Sequence, residues 1–304
     1  MLPPVLSNPT AAKPTVSVII ATYNNAAILE QCLGSWEKYA TGQPIELIVI
    51  ADGCHDGTAQ VLERWSAKPW GQKHLRWFTE NNVHELRCTN RGMTEATGEL
   101  VLSWHDDMFL ASEFLVPELI SFFDRNQEIG LMGLCRGLQC RTDSMPTTFH
   151  ELTRPDRLEP TIGPRLLNWF VAYEVDAIMR PWITRRTCID RVGSLDTAFK
   201  LSEWDEADLC FRISEAGWKI ATHAFERLGA YTHLGSSTIS RTTTDAYKQQ
   251  VLANGQLFYS RWAARIRDRR HRPRKTWRRP LSVSSVGFTL ASIASDVRRR
   301  VARS

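Results

Sequence analysis

Along the first third of the chain, short unbroken apolar runs alternate with segments whose apolar residues recur at helical spacing. Val16 to Thr22 is β-branched and predicts a strand, and Ala26 to Tyr39, with Ile28, Leu29, Cys32, Leu33 and Trp36 in step, predicts a helix. Ile45 to Ala51 predicts a second buried strand, broken by the turn Asp52 to Gly57 before a helix over Thr58 to Trp65. Leu75 to Phe78 and Glu99 to His105 read as the third and fourth strands. Between them a helix over Cys88 to Thr97 is closed by Gly98. This alternation predicts a mainly parallel sheet with helices on both faces.

Further on, Ser112 to Arg125 reads as a helix and Ile129 to Leu134 as a strand, whereas Cys135 to Pro164 mixes polar residues, Pro and Gly without a period. Regular patterning returns at Val175 to Met179. It continues with helices over Arg185 to Val192 and Asp205 to Ala216, the second closed by Gly217, and a strand over Trp218 to Thr222. In the tail, Val286, Leu290, Ile293, Val297 and Val301 recur at helical spacing. The expected organisation is a disordered segment over 1–14, one α/β domain over 15–238 and a basic, partly amphipathic helical region over 239–304.

Composition fits that division. A chain of 304 residues with 43% hydrophobic content is long enough for one large α/β domain and an appendage. The net charge of +5 is uneven, because fourteen Lys and Arg between 261 and 304 face only Asp268 and Asp296, leaving the first 260 residues net acidic. The seven cysteines are odd in number and form no CxxC pair, which fits reduced thiols in a cytosolic protein better than a disulfide framework or a zinc site. Residues 1–14 hold no apolar stretch of signal-peptide length, and no run approaches the roughly 18 apolar residues of a spanning helix. The expectation is a cytoplasmic protein able to lie on the inner face of the cell membrane. Residues 261–304 could rest there on anionic lipid, or form a solvated helix packed on the domain.

Four acidic clusters, Asp52-Gly53, Asp56-Gly57, Asp106-Asp107 and Asp205-Glu206, follow apolar runs or open a helix, where an open α/β sheet places its ligands. Repeated acids there point to a metal-dependent site for an anionic cofactor. Gly53 and Gly57 free the backbone to turn sharply. Asp52 can accept the imide N–H of a pyrimidine ring or, like Asp56, merely bond backbone amides. Adjacent carboxylates at Asp106 and Asp107 repel unless a cation, a proton or solvent separates them. Mg²⁺ or Mn²⁺ completed by diphosphate oxygens resolves that repulsion; a solvated helix start is the plainer alternative. Acids at Asp205 and Glu206 suit a helix N-terminus in any case, and one facing the crevice could serve as general base. Asp208 and Arg212, four apart, can pair on one face. His233 could bring a ring nitrogen to the metal, and Trp104, Trp169, Trp182 and Trp204 could stack on sugar rings, core packing being the ordinary role of tryptophan. Tyr23-Asn24-Asn25-Ala26 lacks the glycines of a dinucleotide fingerprint.

Taken in order, these pieces resemble glycosyltransferase family 2, whose members have the GT-A fold. Val16 to Asn24 is similar to the opening strand and Ala51 to Thr58 to the nucleotide-binding turn. Asn90 to Gly92 through Ala96 to Gly98 resembles the following helix, and Trp104 to Asp107 the metal motif. Arg186, Val192 to Asp196, Phe199 and Asp205 to Arg212 resemble the acceptor-side stretch. His233 with Gly235-Ser236 resembles the His-Gly-Ser segment of bacterial rhamnosyltransferase-like members. The likeness runs from about Thr15 to Thr238.

The resemblance implies a GT-A domain with a nucleotide-sugar half over 15–110 and an acceptor half over 111–238. It implies a UDP- or dTDP-sugar held by Ala21, Tyr23, Asp52, Arg87 and Asp106, a Mg²⁺ or Mn²⁺ ion at Asp107 and His233, and Trp204 and Trp182 against acceptor or sugar. Glu206, or Asp205, would be the base in an inverting transfer to a glycan or lipid-linked acceptor, in surface polysaccharide synthesis. Three positions depart from the pattern: Ala51 stands for an acid, Trp104 opens the metal motif, and Asp205-Glu206 reverses the usual order, leaving the choice of base open. The rival readings are a non-catalytic glycan- or nucleic-acid-binding protein and a sugar nucleotidyltransferase. The first has its basic residues outside the acidic core, so no nucleic acid is expected; the second should carry a glycine-rich, Arg-containing loop where this chain has Tyr23-Asn24-Asn25.

Overall fold

The structure, a computed structural model, describes residues 15–154, 157–160, 169–201, 203–235, 244–281, 285–291 and 293–294. The first half contains β1 (Val16–Thr22), α1 (Ala26–Ala40), β2 (Ile45–Asp52), α2 (Thr58–Ala67), α3 (Pro69–His74), β3 (Leu75–Glu80), α4 (Glu85–Glu95), β4 (Leu100–His105), β5 (Met108–Leu110), α5 (Leu115–Arg125), β6 (Ile129–Gly133) and β7 (Gly137–Cys140). The second contains α6 (Phe149–Leu152), β8 (Leu158–Pro160), β9 (Val171–Glu174), β10 (Ala177–Ile178), β11 (Trp182–Arg185), α7 (Arg186–Val192), α8 (Asp205–Glu215), β12 (Lys219–Thr222), β13 (Tyr231–His233), α9 (Asp245–Arg269) and β14 (Thr276–Arg278). Another helical stretch covers 285–291.

Nine strands form the central sheet in the order β14-β9-β12-β6-β11-β4-β1-β2-β3. The longest ladders, β4-β1-β2-β3, are parallel, and β12 runs parallel to β6, while β11, β9 and β14 pair antiparallel. Both faces are covered, which is why β1 and β2 read as unbroken apolar runs rather than as alternating ones. Val18, Ile20, Leu47 and Val49 join one core with Leu33, Trp36 and Leu62; Ile19, Ile48 and Ile50 join the other with Leu86, Leu209 and Phe211. A three-stranded sheet, β10-β7-β8, and the pair β13-β5 complete the strands.

Several boundaries differ from expectation for local reasons. The helix expected over Cys88 to Thr97 spans Glu85–Glu95, because the Asp52 carboxylate takes the amides of Val83 and His84 and sets its start. Gly98 is not its cap: a Cβ there would lie 2.8 Å from the Ser17 amide nitrogen, so the position needs glycine for close approach. The stretch Cys135 to Pro164 holds β7, α6 and β8, elements of three or four residues that are too short to show a period. All seven cysteines are free.

Of the two alternatives for the basic tail, resting on lipid or packing on the domain, residues 261–279 take the second. Arg261 and Trp262 reach the buried Asp208, β14 extends the central sheet beside β9, and Arg279 is buried against Glu118. The 1–14 segment, residues 295–304 with Val297 and Val301, and the boundary at 238 lie outside the described residues. Among the described residues no helix is long and apolar enough to cross a membrane.

Candidate active site

The parallel register decides where the acids gather. Thr22 lies opposite Ala51, Ala21 opposite His105 and Asp52 opposite Glu80, so the carboxyl ends of β1, β2 and β4 share one edge of the sheet. There the backbone leaves the strands at Tyr23, Gly53 and Asp106. Gly53 has φ +63°, and a Cβ on it would sit 2.9 Å from the Asn82 amide nitrogen, so this turn demands glycine; Gly57, at φ −75°, does not.

Asp52 is 5% exposed and accepts from the amides of Val83 at 2.7 Å and His84 at 2.8 Å. Two oxygens with about four lone-pair sites leave acceptor capacity beyond those two bonds. Asp56 caps its own turn, accepting from the Thr58 and Ala26 amides at 3.0 and 2.9 Å. Asp106 accepts from Thr22 Oγ1 at 2.7 Å and Asn25 Nδ2 at 3.1 Å, and burial pushes its carboxyl up to about 6. Asp107 is 2% exposed and lies 3.4 Å from His233 Nε2. That meeting follows from β13, whose His233 pairs with Met108 of β5, directly after Asp107. The Asp107 carboxylate holds the His233 imidazole above its ordinary value.

At the other side of the crevice α8 begins at Asp205. Glu206 Oε1 accepts from Arg180 Nε at 3.0 Å and Trp182 Nε1 at 2.8 Å. Arg180 also donates to Glu85, whose carboxylate is 3.7 Å from His105 Nδ1. The His105 and His233 rings are 6.0 Å apart, and the Asp52-bound His84 amide directly precedes Glu85. Asp52, Asp107 and Glu206, separated by up to 154 positions in the chain, are thus joined through Glu85, Arg180, His105 and His233.

The two neighbouring acids are not equivalent. Asp205 is 1% exposed and neither of its oxygens has a hydrogen-bond partner among the described residues, so burial, with the Glu206 charge added, pushes its carboxyl well up. Glu206 keeps 18% of its side chain accessible; burial raises it, while Arg180 and the Trp182 indole hold it down.

Trp182, expected against a sugar, is 0% exposed and stands behind Glu206, with no face to offer a ligand. Trp204, at the N-cap of α8, packs on Phe258 and Tyr259 with ring centroids 5.0 and 5.7 Å away. Tyr23 is 43% exposed beyond β1, Ala21 is half-buried at its end, and Arg87 is exposed on α4. Sequence reasoning gave no role to Glu85, Arg180 and Asn25, which stand in no motif, nor to Thr22 and His105, which lie inside the opening-strand and metal motifs. Only the chain's return through β11 brings Arg180 to the site.

An oxygen of Asp107 and an imidazole nitrogen of His233 can hold one divalent ion. Among the described residues no group of three or more His, Cys, Asp and Glu forms a metal cage. Two protein donors fit an ion that takes its other ligands from substrate phosphates and water.

The profile described as Glycosyl transferase family 2 matches residues 17–179. A cholesterol galactosyltransferase of Borreliella burgdorferi is 31% identical over 103 residues, 33% of this chain and 27% of that protein. An undecaprenyl-phosphate 4-deoxy-4-formamido-L-arabinose transferase of Pectobacterium atrosepticum is 26% identical over 119 residues, 38% and 35% of the two chains. The matches therefore span about a third or less of those relatives. Among solved structures, the mannosyltransferase PcManGT of Pyrobaculum calidifontis, in complex with GDP-Man and Mn²⁺, superposes with a TM-score of 0.50 at 15% identity, covering 97% of this chain and 83% of that one. GalNAc-T7 with UDP, GalNAc and Mn²⁺ gives 0.55 at 14% identity, covering 69% and 42%. These two likenesses carry the fold, a large and mostly parallel sheet flanked by helices in GT-A style.

Proposed function

The chain belongs to glycosyl transferase family 2, and from that premise we propose an inverting, metal-dependent transfer of a sugar from a UDP- or dTDP-sugar to a hydroxyl of a lipid-linked or glycan acceptor. The observation that carries this reading is the accessible Glu206, fixed by Arg180 and Trp182 and linked through Glu85 and His105 to the Asp107–His233 pair.

Glu206 takes the proton of the acceptor hydroxyl as its oxygen attacks the anomeric carbon from the face opposite the leaving group. The carbon–oxygen bond to the diphosphate breaks, the nucleoside diphosphate departs with the electron pair, and the configuration inverts. Arg180 is a positioning residue, because it holds the Glu206 carboxylate and opposes the rise that burial imposes on it. Asp52 and Asp106 edge the nucleoside pocket with Ala21, Tyr23 and Arg87. Asp107 and His233 would hold Mg²⁺ or Mn²⁺, which when bound neutralises charge on the diphosphate. The catalytic domain covers 15–235, and 244–294 braces it.

Two features favour a lipid-linked acceptor: the names of the curated relatives, which act on cholesterol and on undecaprenyl phosphate, and the apolar face described below. The test is release of nucleoside diphosphate from a panel of UDP- and dTDP-sugars with Mn²⁺, Mg²⁺ or a chelator. Release that requires the divalent ion and is abolished in Asp107→Ala is expected. Chelator-resistant release, or near-wild-type release by Asp107→Ala, would overturn the metal assignment.

A further inference from the structure

The helical stretch over 285–294 is turned inside out. Of its described residues the polar ones, Ser285 and Thr289, are 0% and 3% exposed, and the Thr289 hydroxyl accepts from Arg279 at 2.8 Å and donates to the Ser285 carbonyl at 2.8 Å. Among its described residues the exposed ones are Val286, Gly287, Phe288, Leu290, Ala291 and Ala294, none of them polar. Val286 and Phe288 are each 42% exposed and Leu290 61%, and Leu281, just ahead, is 46% exposed. A helix that only covers the domain would show the opposite distribution, with apolar residues inward and polar ones in water. Of the stripe expected from spacing, Val286 and Leu290 face out while Ile293 packs partly against the core.

Charge accompanies this face: Arg272, Lys275 and Arg278 are exposed just before it in the chain. An apolar face with exposed cations just ahead of it in the chain matches a bilayer whose surface carries anionic headgroups.

The position matters as much as the composition. Phe288 packs on Phe114 with ring centroids 5.3 Å apart, and a Cβ on Gly229 would lie 3.9 Å from its ring. Gly229 leads within four residues to His233, so the apolar face adjoins the segment that carries His233 into the crevice. We infer that Leu281, Val286, Phe288 and Leu290 form an anionic-bilayer docking surface, seated so that the catalytic crevice opens beside the headgroups, where a lipid-linked acceptor presents its hydroxyl. Its purpose, though not its binding, rests on the lipid-linked acceptor proposed above.

The test is flotation with vesicles of phosphatidylcholine alone or with phosphatidylglycerol, at low and high salt, for the wild-type chain and for Val286→Ser/Leu290→Ser. Both substituted side chains are exposed, so the melting temperature of the double variant should match the wild type. The wild type is expected to float with the phosphatidylglycerol vesicles, more at low salt, and the double variant to lose about tenfold or more of that partitioning. Three results would overturn the inference: no flotation of the wild type, equal flotation of the variant, or a wild-type dimer that the variant converts to a monomer while neither floats. Nucleoside diphosphate release is read in solution, so failure here leaves the transferase reading standing, and failure there leaves this one.

Discussion

Asp205 and Glu206 are adjacent in sequence and chemically similar, yet the fold gives them different tasks. The buried Asp205 is raised by desolvation and holds its proton at a pH where an ordinary carboxyl has lost it. Because its folded value lies above its unfolded one, the folded state binds the extra proton. Wild-type stability therefore falls as pH rises from the ordinary Asp value near 4 through the raised value. Asp205→Asn, neutral at every pH, should melt progressively higher than wild type over that window and equal it below. A pH-independent difference would show that the carboxyl is not raised. For Glu206 burial raises the carboxyl and Arg180 opposes that rise, so Arg180→Met should move the acid limb of the pH–rate profile to higher pH. An unmoved limb would mean that Arg180 does not act on the base. The acids were legible in the sequence as clusters. Their division of labour was not, since exposures of 1% and 18% on neighbouring residues come from tertiary packing.

At the scale of elements, α9 locks onto α8 through one carboxylate. Asp208 is 0% exposed and accepts from Arg212 Nε at 2.7 Å, Arg261 Nη1 at 3.1 Å and Trp262 Nε1 at 2.9 Å. Spacing alone indicates a surface pair of i and i+4, worth a few tenths of a kcal/mol. Buried and shared by two helices, it is worth more: Asp208→Ala should lower unfolding free energy by about 3–5 kcal/mol, read by urea denaturation. A loss near that of an exposed pair would show that the clamp is incidental. α9 itself left little trace in the sequence, because it buries Asn254, Gly255 and Arg269 alongside Val251, Phe258 and Ile266. Gly255 is there for closeness, since a Cβ would meet Leu152 Cδ1 at 2.5 Å. β11, four residues long and starting right after Pro181, shows no period at all.

Over the whole molecule, the strand-and-helix alternation from Val16 to His105 was readable, because parallel strands covered on both faces are apolar throughout. So was the order of the acidic clusters, which the parallel register carries to one edge. What joins them was not readable: Glu85 and Arg180 belong to no motif, and their meeting with His105 depends on β11 entering antiparallel between β4 and β6. The basic tail was visible as composition, but its partition into a sheet-forming strand, a buried Arg279 and an outward apolar helix follows only from packing. The apolar helix packs through Phe288 on Phe114 and close to Gly229, four residues before His233.

The most direct measurement is steady-state sugar transfer by Glu206→Gln, a variant that keeps the shape of the side chain and removes its basicity, in protein whose melting curve shows it folded. Turnover reduced by about 10²–10⁴-fold, with donor binding retained, is the expected result. Turnover near that of the wild type would contradict the assignment of Glu206 as the base.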